Sequence, residues 1–561
     1  MTHPGEQFYP EGVHWDDPIA RGTLPDLLSK AAEQYGARVA IEFRDRAISY
    51  TELEAMVETA AAAFLRAGYG KNNSVALFLG NSPDHPVNFF GALKAGARVV
   101  HLSPLDGERA LSHKLSDSGA RILVTSDLAT LLPTALKFLE KGLLDRLIVC
   151  EDDHWGAVGN PHAPIPTSPA ILTFAKFVQG ASKPAQWPKL SLDDVALLQY
   201  TGGTTGLPKG AMLSHGNLTS AVSIYDLWGK PARANRDGIE RVICVLPLFH
   251  IFALTVILLR GLQHGELISL HQRFDVEAVM RDIEVKRATA FPGVPTMWIA
   301  IASLPDLESR DLSSLVSCGS GGAPLPVEVA KIFERKTNMK LKSGWGMTET
   351  CSPGTAHPPE GPEKPGSIGL MLPGIEIDVV ALDDPKKVLP VGEVGEIRIR
   401  GPNVTKGYWN RPQETAEAFV GDRFLTGDIG YIDSDGYFYL VDRKKDMIIS
   451  GGFNVYPQMI EQAIYEHPCV HEVIVIGVPD DYRGEAAKAF VKLRAGAKPF
   501  TLDELKAFLA GKLGKHEIPA ALEFVDELPR TSVGKLSRHE LRNQQASTQP
   551  RQQQLASGGR P

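Results

Sequence analysis

The sequence predicts an α/β protein: a large N-terminal domain of layered α/β subdomains plus a β-rich subdomain, followed by a small α+β C-terminal domain. Three observations carry this reading. From Val75 onward short apolar runs alternate with helical patterns; after about residue 370 the runs shorten and are separated by Gly, Pro and Asp; beyond Arg443 the pattern is mixed again.

The run VALFL at 75–79 is followed by a helical pattern near 84–96, VVHL at 99–102, a second helical pattern near 108–117, and ILVT at 122–125. Short apolar runs joined by crossover helices are the mark of a parallel sheet covered on both faces. The rhythm recurs at RVICVLP, ELISL, ATAFPGV and LVSCGS, with helices expected at 249–262 and 276–286, so much of residues 20–370 reads as layered α/β. IEIDVVAL, GEIRIRG and GYFYLVD read as short strands between Gly, Pro and Asp turns. A helix near 457–467, the strands VIVIGVP and AKAFVKL, and a helix near 502–513 make a compact C-terminal domain, placed at 443–545 after an N-terminal domain of 1–442. Residues 546–561 have almost no apolar side chains and read as a disordered tail.

A chain of 561 residues exceeds what one core supports, since cores stop growing at roughly 250 to 300 residues. With 43% hydrophobic and 22% charged residues the composition is that of a soluble globular enzyme. The net charge of -7 supplies no global basic field, so nucleic acid is not an expected partner and any anionic ligand must be met by local positive charge. Five scattered cysteines argue against a disulfide framework or zinc site and for a reducing cytoplasm. The N-terminus has neither a basic start nor an apolar stretch and does not read as a signal peptide. The most apolar stretch, 251–259, is about half of the roughly 18 residues that span a bilayer, which leaves peripheral membrane contact open.

The segment YTGGTTGLPKGAML, residues 200–213, follows the apolar run VALLQ and precedes a helix begun at 214–217. Gly202, Gly203 and Gly206 let backbone approach a ligand, Thr201, Thr204 and Thr205 offer hydroxyls, and Lys209 adds a cation; together they suit β- and γ-phosphates. The spacing is not that of G-x-x-x-x-G-K-[ST], because Gly210 follows Lys209. A plain Gly/Thr hairpin turn is the competing reading, and it does not account for the lysine.

This segment resembles the signature loop of the adenylate-forming superfamily of acyl-CoA synthetases, peptide-synthetase adenylation domains and luciferases. PLFHIFAL (247–254), SGGAPL (320–325), GWGMTET (344–350), FLTGDIGYID (424–433), LVDRKKDMIISGGFNVYP (440–457) and PRTSVGKLSRHEL (529–541) follow in the order of that family, covering essentially residues 20–545. The resemblance implies an enzyme that joins a carboxylic acid to ATP as an acyl-adenylate and passes the acyl group to coenzyme A, with Mg2+ assisting. It also implies that the C-terminal domain is mobile.

What each motif implies follows residue by residue. Attack of a carboxylate on the α-phosphate crowds negative charge, which positioned cations, hydroxyls and Mg2+ relieve. In GWGMTET, Glu349 is the expected metal ligand and Thr348 the α-phosphate hydroxyl, although Thr-Glu alone is more often a helix cap. Gly344, Trp345, Gly346 and Met347 of the same motif, with Gly321, Gly322, Ala323 and Pro324 of SGGAPL, are expected along the nucleotide. Trp345 stands where many members carry Tyr. Asp428 is expected to accept the ribose hydroxyls and Arg443 to reach the ribose as well. His250 is implied to lie beside the reacting carboxylate; it is not needed as a base, since a carboxylic acid is already ionised at neutral pH.

Lys535, otherwise a surface lysine by its setting, is implied to bridge carboxylate and α-phosphate during adenylation, and its acylation by a lysine acetyltransferase would remove that charge. Lys445 occupies the hinge position, where rotation would withdraw Lys535 and bring Gly451, Gly452 and Phe453 to the coenzyme A side. The motifs are nearest those of bacterial medium- and long-chain fatty acid–CoA ligases, with pimelate-type dicarboxylate ligases in the same group. Acyl-pocket candidates are Ala253, Val294, Met297, Gly319 and Gly344, with His271 and Arg273 as distal basic groups for a dicarboxylate. Two alternatives remain at this point: a ligase loading a carrier protein, and a catalytically inactive sensor, which would have no need to keep Lys209, Thr348, Glu349, Asp428, Arg443 and Lys535 together.

Overall fold

The computed structural model describes residues 3–201, 208–234, 239–362, 364–480, 482–531 and 535–545. Among these the strands form three sheets. The first runs, edge to edge, Ile171–Thr173, Arg146–Cys150, Ile122–Ser126, Ser74–Phe78, Arg98–His101, Val195–Thr201, Lys209–Ser214. Every pair is parallel except the last, a hairpin in which Thr201 faces Lys209. The runs expected at 75–79, 99–102 and 122–125 are three of its strands, and the helices between them are Asp84–Lys94 and Glu108–Ser118.

A second sheet begins in the same α/β manner with Val39–Phe43, Leu267–Leu270, Arg241–Cys244, Ala290–Gly293, Ser317–Ser320 and Lys342–Trp345 in parallel register. It then continues through the two ends of its last strand, Lys342 and Ser343 pairing with Gly319 and Ser320, and Gly344 and Trp345 with Ala356 and Thr355. Lys342–Trp345 pairs antiparallel with Thr355–Ala356, and the sheet proceeds through Gly369–Met371, Tyr437–Arg443, Arg423–Ile432, Gly395–Arg400 and Glu376–Val380. The β-rich stretch after 370 is therefore an extension of the second layer rather than a sheet of its own. Composition marks where the connections change from helices to hairpins, but not which strand edge the hairpins are added to.

The main core lies between these two sheets. Helices Tyr50–Arg66 and Asp84–Lys94 are packed inside it, and all residues of the latter are buried. Phe64, Phe89, Phe90 and Val99 on one side join Ile243, Ile268 and Phe291 on the other in one continuous apolar cluster. Asp84, enclosed in this core, accepts a hydrogen bond from Trp155 Nε1 at 2.9 Å; burial raises its carboxyl to about 6. The helix expected at 249–262 is present but unusually wound: Ala253–Leu259 is π-helical before Arg260–Gln263 returns to α. Apolar periodicity does not distinguish these windings, and π-turns cluster at functional sites.

Beyond the second sheet, Val470–Asp480 and Gly484–Leu493 form a long hairpin; the side of Gly484–Leu493 away from Val470–Asp480 is taken by Ala521–Phe524, in parallel, and at Gly484 by Ile448–Ser450, which pairs in turn with Phe453–Val455. Helices Pro457–Tyr465 and Leu502–Leu509 cover this sheet; the second starts in a reciprocal cap between Thr501 and Glu504 and ends four residues short of the expected 513. All five cysteines are free thiols, four of them buried. Among the described residues no helix is long and apolar enough to cross a membrane. The tail at 546–561 lies outside the described residues.

Candidate active site

Four strands and two loops bring the candidate residues to the ends of the second sheet. Asp428 and Arg443 face each other across adjacent antiparallel strands, with Arg443 Nε 3.1 Å from Asp428 Oδ1. The other oxygen, Oδ2, accepts the indole N–H of Trp345 at 2.7 Å. Trp345 thus does something a tyrosine there would do differently: it fixes the plane of a carboxylate that is 3% exposed. Arg443 is half exposed at its side chain, and the Asp428 charge holds its guanidinium in the cationic form.

Glu349 sits in the single 3-10 turn Thr348–Thr350, whose start is closed by a hydrogen bond from Met347 N to Thr350 Oγ1 at 3.1 Å. It is 6% exposed, and burial raises its carboxyl above the ordinary range. Tyr408 donates to Glu349 Oε1 at 2.8 Å, and Lys209 Nζ stands 5.4 Å from the centre of the Tyr408 ring. The loop carrying Tyr408 is braced beneath the turn: Asn403 Nδ2 donates to Thr350 O at 2.7 Å and to Pro353 O at 2.9 Å. Lys209, Tyr408 and Glu349 therefore form one chain of contacts. No local signal in the sequence ties Tyr408, a tyrosine in a Gly turn, to a glutamate 59 positions earlier. Thr201 ends the strand before the expected phosphate loop; Gly202, Gly203, Thr204, Thr205 and Gly206 lie outside the described residues.

Lys535 reaches this site from the C-terminal part. Its backbone is turned by Thr531, whose N–H donates to Lys535 O at 2.7 Å and whose Oγ1 accepts from Lys535 N at 3.2 Å. Its side chain crosses Gly322, where φ is +79° and an added Cβ would come within 2.8 Å of Lys535 Cε and 3.1 Å of Nζ. Glycine here serves both the backbone angle and the passage of the lysine. Burial, then the charge of Arg443, pushes the Lys535 ammonium down to about 8, with Asp428 opposing. His250 is held down to about 3 by burial and then by Lys535, so its imidazole is neutral; its Nδ1 accepts from Phe252 N at 3.3 Å.

The remaining nucleotide candidates are close-packed backbone. Gly321 donates to Gly293 O at 3.1 Å and leaves room for the Phe252 ring, 2.9 Å from where a Cβ would stand. Gly344 lies against Thr355 O, and Gly346 against the Ser352 carbonyl so closely that any side chain would overlap it. Ala323, Pro324, Met347 and Thr348 are partly or fully exposed beside them. Of the acyl candidates, Ala253, Val294 and Met297 are buried in the main core, and Gly319 O accepts Trp298 Nε1 at 2.9 Å. His271 is engaged with Asp282 at 2.7 Å and Arg273 is exposed, so the pair expected for a distal carboxylate is not assembled.

The coenzyme A candidates are not at this site. Gly451 and Gly452, at φ +58° and +83°, are exposed, and a Cβ on either would meet nothing within 4 Å; Phe453 is 58% exposed and stacks on His516 at 4.8 Å. Lys445 lies in the turn 443–446, where Asp446 N donates to Arg443 O at 2.9 Å.

A buried acid with a tyrosine and a lysine on one side, a paired Asp and Arg on another, and a lysine arriving from a separate lobe describe an adenylate-forming enzyme. Comparison with known proteins agrees. The AMP-binding enzyme family matches residues 28–409, and the AMP-binding enzyme C-terminal domain matches 459–535. A long-chain-fatty-acid–CoA ligase of Bacillus subtilis (strain 168) is 37% identical over 538 residues, covering 94% of this chain and 95% of its own. A feruloyl-CoA synthase of Amycolatopsis sp. is 37% identical over 514 residues, covering 90% and 95%. Among solved structures, ATP-bound MatB from Rhodopseudomonas palustris superimposes with TM-score 0.82 at 30% identity over 93% of this chain and 98% of its own. The o-succinylbenzoate CoA synthetase of Bacillus subtilis, bound to its acyl-adenylate, gives 0.78 at 29% over 92% and 98%. The chain belongs to the AMP-binding enzyme family, and within it to the acyl-CoA synthetases, acid–thiol ligases that form a CoA thioester through an acyl-adenylate.

Proposed function

We propose that the protein activates a medium- or long-chain fatty acid in two half-reactions served by one site, the C-terminal domain of residues 443–545 turning between them about residues 442–445. In the first, a carboxylate oxygen attacks the α-phosphorus of ATP, the bond to the bridging oxygen breaks, and diphosphate leaves. In the second, the coenzyme A thiol loses its proton and attacks the acyl carbonyl, and AMP leaves. The convergence of Lys535 with Gly322, Asp428, Arg443 and His250 supports the first step most directly. Lys535 would offset charge at the α-phosphate, Asp428 and Arg443 would hold the ribose, and neutral His250 would border the acyl group without drawing it into an ion pair.

Thr348 would donate to the phosphate, and Thr201 and Lys209 would follow the polyphosphate with the loop between them. The donor set suits a hard divalent cation: Glu349 is buried, and Tyr408 takes only one of its oxygens. Mg2+ held there would neutralise part of the phosphate charge. Gly451, Gly452 and Phe453, away from the site here, would reach it for pantetheine in the second arrangement. Acetylation of Lys535 would mimic its removal, and it requires that same withdrawn state. Free cysteines and the lack of a long apolar helix among the described residues favour a cytoplasmic enzyme with at most peripheral membrane contact.

A panel of acids with ATP, Mg2+ and either coenzyme A or no thiol, followed by diphosphate and AMP release, tests the reaction. AMP turnover that is indifferent to coenzyme A and rises with an acyl carrier protein would assign the chain to carrier loading instead. Because relatives of similar identity are named for aliphatic and for aromatic acids, chain length discriminates. Each added methylene is expected to contribute up to about 0.8 kcal/mol until the pocket is full. The specificity constant then climbs over several carbons and flattens; a maximum at ferulate, benzoate or acetate refutes the fatty-acid assignment. A dicarboxylate of the pimelate type is the second reading, and a preference for it over the monoacid of equal length would establish it.

The Lys535 ammonium also sets a pH dependence. Its pKa lies near 8 in the free enzyme, so the cation is present below that value and is lost as pH rises through it. The adenylation kcat/KM is expected to fall above about pH 8, while the limb in kcat moves higher because bound phosphates favour the cation. Lys535→Arg, which does not titrate in this range, should abolish the limb; a limb that persists in this variant belongs to another group.

A further inference from the structure

A buried cluster of charges lies beside the turn 443–446. Asp442, 1% exposed, is the last residue but one of the strand Tyr437–Arg443. Its Oδ1 accepts from Arg443 N at 2.7 Å and from Arg538 Nη1 at 2.8 Å, and its Oδ2 accepts from Gln458 N at 2.7 Å. Arg538 is independently fixed by Glu461, donating from Nε at 3.0 Å and from Nη2 at 2.6 Å. Glu461 in turn accepts from Val475 N at 2.8 Å. Asp446 stands 3.5 Å from Arg538 Nη1 and holds Arg542 at 2.8 Å. Arg538, Glu461, Gln458 and Arg542 all belong to the chain after the turn; Asp442 comes before it.

We infer that Asp442, through Arg538, is the positioning contact that holds the Lys535 segment over the site during adenylation and must part when the C-terminal domain turns. The inference rests on the two-state reading given above. Arg538 follows Lys535 by three residues, so where its guanidinium is held the lysine is held too. Two of its nitrogens are committed to Glu461, which fixes the plane of the fork within its own lobe. Beside the contacts that Gln458 makes from its N to Asp442 and from its Nε2 to Leu440 O at 3.2 Å, the remaining nitrogen makes a side-chain contact that crosses the turn. That contact registers the lobe against the strand bearing Arg443, and it is not needed to neutralise Arg538, which keeps Glu461. Removing the charge of Asp442 therefore leaves no buried guanidinium unpaired, whereas removing Arg538 would strand two buried carboxylates.

The test compares wild type, Asp442→Asn, Arg538→Lys and Lys535→Ala in ATP–diphosphate exchange and in thioester formation from supplied acyl-adenylate. An asparagine has one acceptor oxygen and cannot serve both Gln458 N and Arg538; a lysine cannot span Glu461 and Asp442 together. For Asp442→Asn and Arg538→Lys, exchange is expected to fall roughly tenfold in kcat, the effect of losing one charge-assisted hydrogen bond, with KM for ATP little changed. Thioester formation stays within about twofold of wild type. Trypsin should cut after the exposed Lys444 and Lys445 faster than in wild type, and for Asp442→Asn, which leaves Arg538 paired with Glu461, the melting temperature should stay near the wild-type value. Unchanged exchange in Asp442→Asn, or equal losses in both half-reactions for both variants, overturns the assignment and makes the cluster purely structural. Lys535→Ala separates the two claims: if it fails to split the half-reactions, the two-state reading itself falls; if it splits them and Asp442→Asn does not, only the role of Asp442 falls.

Discussion

Lys535→Ala is expected to lower ATP–diphosphate exchange by about 10² to 10³ fold, the loss seen when one preorganised donor to developing negative charge is removed. Thioester formation from supplied acyl-adenylate should be largely spared. The structure gives the reason for the first half. The ammonium is enclosed against Gly322 with Arg443 as a like charge nearby, an arrangement that depresses its pKa and is unfavourable until a phosphate arrives. The reason for the second is that, in the proposed thioester-forming arrangement, Lys535 is already withdrawn from the α-phosphate, so its charge does not act when AMP leaves. Lys535→Gln, the neutral mimic of acetylation, should behave alike. Equal losses in the two half-reactions would remove Lys535 from its assigned role.

Lys445→Pro should produce the opposite split. The backbone hydrogen bonds of the turn run from Lys444 N to Gly427 O at 2.8 Å, from Asp446 N to Arg443 O at 2.9 Å and from Met447 N to Arg443 O at 3.1 Å. None uses the N–H that a proline at 445 would lack. The arrangement with Lys535 in place should persist at a modest cost, because proline disfavours helical φ/ψ at Lys444. Fixing φ near -65° closes the alternative backbone path that a turning domain needs. Thioester formation is expected to fall about a hundredfold or more, the scale on which misplaced reacting groups lose rate. Exchange should stay within about tenfold of wild type, a tenfold change being 1.4 kcal/mol. Separate measurement of diphosphate release and thioester yield decides it: both rates near wild type would mean that no turning occurs through residue 445.

Local order in this fold was legible because each element carries its own period. The strand read at 75–79 is Ser74–Phe78, and the helix read at 276–286 is Val276–Glu284. What escaped is what depends on partners far along the chain. The joining of Lys342–Trp345 to Thr355–Ala356 ties the α/β layer to the β-rich stretch that follows, and no residue in either strand announces it. At the site, Glu349, Asp428, Arg443 and Lys535 stand in motifs and could be named in advance. The indole that orients Asp428 comes from 83 positions away, and Tyr408 meets Glu349 only because the loop at 401–409 folds under the 3-10 turn. Gly451, Gly452 and Phe453 show a different limit: a sequence that encodes two arrangements of one lobe does not say which one a single structure presents.

The linkage of the second sheet through Lys342–Trp345 has a mechanical meaning. The strand Ser317–Ser320, which leads into Gly321 and Gly322, is linked through consecutive ladders to the strands bearing Trp345, Arg443 and Asp428. The walls expected along the base and the groups expected at the ribose are therefore linked through one short strand, Lys342–Trp345, whose first two residues pair with Gly319 and Ser320 and whose last two pair with Ala356 and Thr355. Gating of the nucleotide then falls to the lobe that carries Lys535. A residue inserted within the strand Lys342–Trp345 would reverse the facing of the side chains that follow it in that strand, Trp345 among them.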